Sequence, residues 1–136
     1  MTEYTDIIDR LESATGPDRE LDALACRLAA PKDWEKYRNW AAMPSGAPPD
    51  IMDRDAVRWV PAYTASLDDS LALVGEKLPG WRWEMAHHPR MTREHRYVFE
   101  IEAPSEDSAT ALAPTPALAV LLALFRALEA NQDQDQ

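Results

Sequence analysis

Ile7, Ile8 and Leu11 share one helical face, and the pattern stops near Gly16. Pro17 suits the first turn of a following helix, and Asp18 and Glu20 suit the positive end of its dipole. Leu21, Leu24, Ala25 and Leu28 then recur at helical offsets until Pro31 ends the run. The chain thus opens on a helical pair, either two short helices or one broken at Gly16-Pro17.

In "DWEKYRNW", Trp34, Tyr37 and Trp40 recur every third residue. A short helix or turn laying aromatics onto the core is the favoured reading. The other is an exposed aromatic face that anchors a partner, since Trp and Tyr dominate interface energetics. Pro44, Gly46, Pro48 and Pro49 make "MPSGAPPD" a loop. Residues 31–56 therefore read as a loop or insertion. Val57, Trp59 and Val60 are strand-like, and Pro61 limits them to an edge strand or strand end.

"YTASLDDSLALV" sets hydroxyls and carboxylates before an apolar helical stripe of Leu67, Leu71, Val74 and Leu78. Ser66 with Asp69 approximates a capping box, with Thr64 as an alternative cap. Pro79-Gly80 makes a turn. Trp81, Trp83 and Met85 then alternate with Arg82, Glu84 and Ala86, and Tyr97, Phe99 and Ile101 alternate with Arg96, Val98, Glu100 and Glu102. Two alternating runs joined by "HHPRMTREH" predict an antiparallel hairpin. "PSEDSATALAP" reads as a loop, polar and then small. Thr115-Pro116 opens a last helix by hydroxyl cap and first-turn proline. Leu118, Leu121, Leu122, Phe125 and Leu128 form its stripe, which Val120 and Leu124 widen, so this helix should be buried. "NQDQDQ" reads as a disordered acidic tail, residues 131–136. The fold class is α+β: one domain over 1–130, a small antiparallel sheet flanked by helices, and a buried C-terminal helix.

A length of 136 residues fits one domain with a real core. The net charge of −10 argues against generic nucleic-acid binding and against an anionic membrane surface. The apolar run from Pro116 to Leu128 is too short to span a bilayer. Cys26 is the lone cysteine, which excludes an internal disulfide and a cysteine metal cage. "MTEYTDIIDR" lacks the apolar core of a signal peptide, so a cytoplasmic location is expected.

The chain lacks a phosphate loop, a dinucleotide fingerprint and a nucleophile elbow. His87 and His88 point to opposite faces of a strand, and His88 and His95 need a third ligand such as Glu94 to hold a metal. A polar hairpin tip is favoured, with no metal and no cofactor. Residues 87–98 carry Arg90, Arg93 and Arg96 against Glu94, a local excess of +2, while the rest carries 11 basic and 23 acidic residues. Such a tip either binds a phosphate or acidic partner or, as favoured, pairs with Glu84, Glu100 and Glu102. Asp53, Asp55, Asp68 and Asp69 are the carboxylates available to an acid–base pair, and a solvated, helix-starting role suits them better.

The order "DIIDRLESATGPDRELDALACRLA", "YTASLDDSLALV", "PGWRW" and "ATALAPTPALAVLLALFRALEA" resembles small phage and prophage proteins grouped as the phage ABA sandwich domain. The resemblance covers roughly residues 7–30 and 63–130. It implies helices on both faces of a sheet and a phage gene, and it carries over no catalytic residue. The expected function is a non-catalytic binding protein in counter-defence, one that blocks a host protein complex or sequesters a small phosphate-bearing signal. Trp34, Tyr37 and Trp40 with the acidic surface are the candidates for a protein target. Arg90, Arg93 and Arg96, with Trp81 or Trp83 stacking on a base, are the candidates for a nucleotide-like ligand. The alternatives are a small hydrolase or nuclease using His87, His88 or His95, and a self-associating structural phage component.

Overall fold

The computed structural model describes residues 3–42, 60–87, 90, 92, 96–105 and 107–134. Helix α1 (Glu3–Ser13) buries Ile7, Ile8 and Leu11. Helix α2 (Arg19–Ala29) starts at Asp18, whose carboxylate accepts from the backbone of Glu20 and Leu21. Asp18 is therefore the cap, and Pro17 lies one step outside the helix instead of in its first turn. Pro31 does not merely end α2: it opens α3 (Pro31–Ala42), a position where its missing N–H costs nothing. The first part of the expected insertion is thus a helix. The loop at 43–50 and the strand-like Val57 and Trp59 lie outside the described residues, and Val60 is a bend.

Helix α4 (Leu67–Lys77) starts at Ser66, whose hydroxyl accepts the Asp69 N–H at 3.1 Å. The Asp69 carboxylate turns away from a reciprocal capping box and accepts the Ala62 N–H at 3.2 Å. The buried face of α4 is Ser70, Leu73 and Val74, while Leu67 and Leu71 are half-buried. Gly80 then turns the chain with φ of 87°, a left-handed geometry that suits glycine.

Strands β1 (Arg82–His87), β2 (Tyr97–Glu102) and β3 (Ser108–Ala113) form an antiparallel sheet in the order β1-β2-β3. The expected hairpin is present, with Trp83 opposite Ile101, Met85 opposite Phe99 and His87 opposite Tyr97. The segment read as a small-residue loop is a third strand. Alanine has little strand preference of its own, so the sequence hides β3. Its burial alternates, however, with Ala111 and Ala113 inside and Thr110 and Leu112 outside. Small side chains on the inner face let a helix approach closely.

That helix is α5 (Pro116–Gln134), which lies on β2 and β3. Thr115 caps it by accepting the Leu118 N–H at 3.2 Å. Helices α1 and α4 pack against α5 in turn, and α2 packs on α1 and α3. Leu118, Val120, Leu121, Leu122, Leu124 and Phe125 are each 2% exposed or less, so α5 is wrapped all round. The molecule is an α+β fold with a small antiparallel sheet, helices packed against it, and a buried C-terminal helix. Residues 131–134, read as tail, continue α5, because no Gly or Pro stops the helix there. Away from α5, Arg82, Glu84, Ala86, Glu100, Thr110 and Leu112 are exposed. Among the described residues, no helix is long and apolar enough to cross a membrane.

Candidate functional site

Two of the distinctive sequence segments meet in space. The Thr64 N–H donates to Asp22 Oδ1 at 2.6 Å, and the Thr64 hydroxyl donates to the same oxygen at 2.8 Å. That hydroxyl also accepts the Asp18 N–H at 2.8 Å. Arg19 donates from Nη1 to Asp22 Oδ2 at 2.8 Å and from Nη2 to the Val60 carbonyl at 2.7 Å. Asp22 is 1% exposed, a burial that a carboxylate tolerates only with such partners. The cluster spends these groups on joining "PDRELDA" to "VPAYT". It is a clamp of the fold and leaves no free nucleophile or base.

The aromatic helix segment divides. Trp34 is 5% exposed and belongs to the core, so its candidacy as a surface anchor is withdrawn. Tyr37 is half-buried against that core. The side chain of Trp40 lies outside the described residues. Cys26 is buried nearby, and burial, aided by the Asp33 carboxylate, pushes its thiol up to about 12. Burial also raises the phenols of Tyr63 and Tyr37. At neutral pH the thiol and both phenols keep their protons.

The hairpin offers the open surface. Trp83 stacks on Phe99 with centroids 5.5 Å apart, yet it is 47% exposed, because α5 lies over β2 and β3 and leaves β1 overhanging. His87 stacks on Tyr97 at 4.8 Å. On the other face, Glu84 stands directly opposite Glu100, and Arg82 pairs with Glu102 at 2.6 Å. Trp81, Arg82, Trp83, Glu84, Glu100 and Glu102 line an open cleft of about 510 Å³.

The register separates Trp83 from Arg96. Trp83 pairs with Ile101, while Arg96 precedes Tyr97, the partner of His87. Four residues of strand, about 13 Å, lie between these ends. Trp83 therefore lies away from Arg96, on the face opposite to Glu84 and Glu100. Arg90 is exposed in a turn, and Arg96 is half-buried with its Nε buried and without a hydrogen-bond partner among the described residues. Arg93, His88, His95, Glu94, Asp53 and Asp55 lie outside the described residues. Asp68 and Asp69 sit in the first turn of α4. Among the described residues, no group of three His, Cys, Asp or Glu side chains is placed to hold a metal ion.

Arg126 was not anticipated as more than one charge in an apolar run. It donates to the Thr110 carbonyl of β3 at 2.8 Å and to Glu12 at 2.9 Å. A cleft of about 350 Å³ between the end of α1 and β3 includes it. A single arginine inside an otherwise apolar helix was the only available signal. No family model, curated protein or solved structure matches the chain.

Proposed function

We propose that the chain is a non-catalytic binding protein of phage or prophage origin, which occupies a host protein through the β1 side of its sheet. The carrying observation is Trp83: a large aromatic ring held in place by Phe99 and 47% exposed on the edge strand, with Glu84, Glu100 and Glu102 on the other face of the same two strands. Rigid tryptophans bury much area at little entropic cost, which suits them as anchors. The glutamates and the net charge of −10 favour a basic partner and speed its approach. The same glutamates repel phosphate, so blocking a protein is a better reading of this surface than sequestering a phosphate-bearing signal. The phage assignment rests on the resemblance over roughly residues 7–30 and 63–130, two stretches that meet where Thr64 bonds Asp18 and Asp22.

Affinity capture from a bacterial lysate tests this reading. The wild-type chain is expected to enrich one host protein, and Trp83→Ala to lose it with an unchanged melting temperature. Capture that survives Trp83→Ala, or a wild-type chain that enriches nothing, overturns it. A triple replacement of His87, His88 and His95 by Ala is expected to keep the capture, whereas a hydrolase would lose its biological effect.

A further inference from the structure

We infer that the outer edge of β1 receives an added strand from the partner, an extended segment with lysine or arginine opposite Glu84 and apolar side chains at the positions flanking it. This inference rests on the binding reading above. Among the described residues β1 is the terminal strand of the sheet, and each of its six residues is exposed or half-buried. One side of its backbone pairs with β2, and the other presents donors and acceptors that no described strand takes up. Its register runs unbroken from Arg82 opposite Glu102 to His87 opposite Tyr97, with neither bulge nor proline to bar a further strand. The opposite edge is treated differently. There Arg126 closes on the Thr110 carbonyl of β3, and Glu12 to Thr15 line the adjoining cleft.

Charge specifies the occupant. Glu84 and Glu100 are direct cross-strand partners, a like-charge pair that costs stability unless a cation relieves it. Arg82, the neighbouring cation on that face, is already held by Glu102. On this face β1 presents Arg82, Glu84 and Ala86, so an added strand places one side chain opposite Glu84, where lysine or arginine fits. The intervening side chains fall beside Trp83 and Met85, where apolar groups fit. Main-chain bonds then supply affinity and the alternation supplies specificity. A second copy of the chain is a poorer occupant, because it brings its own −10 charge and its own Glu84 to the junction.

The probe is a six-residue peptide of alternating lysine and valine, titrated into the full chain while backbone amide NMR signals are followed. Shifts are expected to concentrate on Arg82 to His87, and the matching glutamate–valine peptide is expected to leave them unmoved. Two further peptides carry N-methyl groups on either the odd or the even residues. Only one set of amides can face β1, so one methylated peptide is expected to bind about tenfold more weakly or worse, the effect of one or two lost hydrogen bonds, and the other to bind as before. Equal binding by both, shifts located elsewhere, or dimerisation through β1 of the chain alone overturns edge addition. Capture of a host protein through Trp83 with no peptide response leaves the binding reading standing and removes only the added strand. A peptide response without host capture does the reverse.

Discussion

The hydroxyl of Thr64 and the carboxylate of Asp22 meet at 2.8 Å inside the protein, 42 residues apart in the chain. Through this contact the segment before α4 is fastened to the first turn of α2. The cluster that looks reactive in sequence is spent on closing the fold.

Removing the acceptor tests that role. Asp22→Ala leaves the buried Thr64 N–H without its acceptor and removes one of the bonds of the Arg19 guanidinium, and is expected to cost about 3 kcal/mol in urea unfolding. Thr64→Val is expected to cost about 1–2 kcal/mol, since the backbone bond to Asp22 survives. A double-mutant cycle should reveal coupling between the two. Strict additivity would mean that the contact carries no energy.

Ser66→Ala removes the cap that accepts from Asp69. The expected loss is about 1 kcal/mol of stability, with host capture unchanged. Lost capture at an unaltered melting temperature would make Ser66 a contact residue.

Cys26 gives a pH signature. Its thiol is raised from an ordinary 9.0 to about 12 in the folded chain. Below pH 9 the folded and unfolded forms both keep the proton, so stability is intact. As pH rises from 9 towards 12, the unfolded form ionises first and stability falls. The buried Tyr63 phenol acts in the same sense. The native thiol is expected to resist a disulfide reagent at pH 8 and to react once urea is added. Fast modification of the folded chain would contradict its burial.

The alanines of β3 set how closely α5 can approach. Ala111 is 1% exposed on the sheet face beneath that helix. Ala111→Leu is expected to destabilise by about 1–3 kcal/mol through overpacking, whereas Thr110→Val, on the open face, is expected to be nearly neutral. A thermal melt of each variant separates the two outcomes.

Arg126 links α5 to β3 and to α1. Arg126→Ala is expected to cost about 1 kcal/mol and to uncover the β3 edge. Light scattering should then register concentration-dependent association that the wild type does not show. An unchanged, monodisperse variant would deny the arginine its guarding role.

Local chemistry determined most elements by itself. The Ser66 and Thr115 caps, the proline that opens α5, and the alternation of "WRWEM" and "YVFEI" act over a few residues, so they are legible in sequence. The breadth of the apolar stripe in α5 likewise announced its burial. Tertiary structure alone decided the rest. Strand β3 exists because β2 offers hydrogen bonds and α5 needs a shallow floor, neither of which alanine announces locally. Trp34 went inside where α3 packs on α2, and Trp83 stayed half outside because α5 covers β2 and β3 and stops short of β1. Strand register set Trp83 on the face opposite to Glu84 and about 13 Å along the strands from the His87–Tyr97 pair that follows Arg96. Spacing along a chain reports which face a side chain takes, and only packing reports what covers that face.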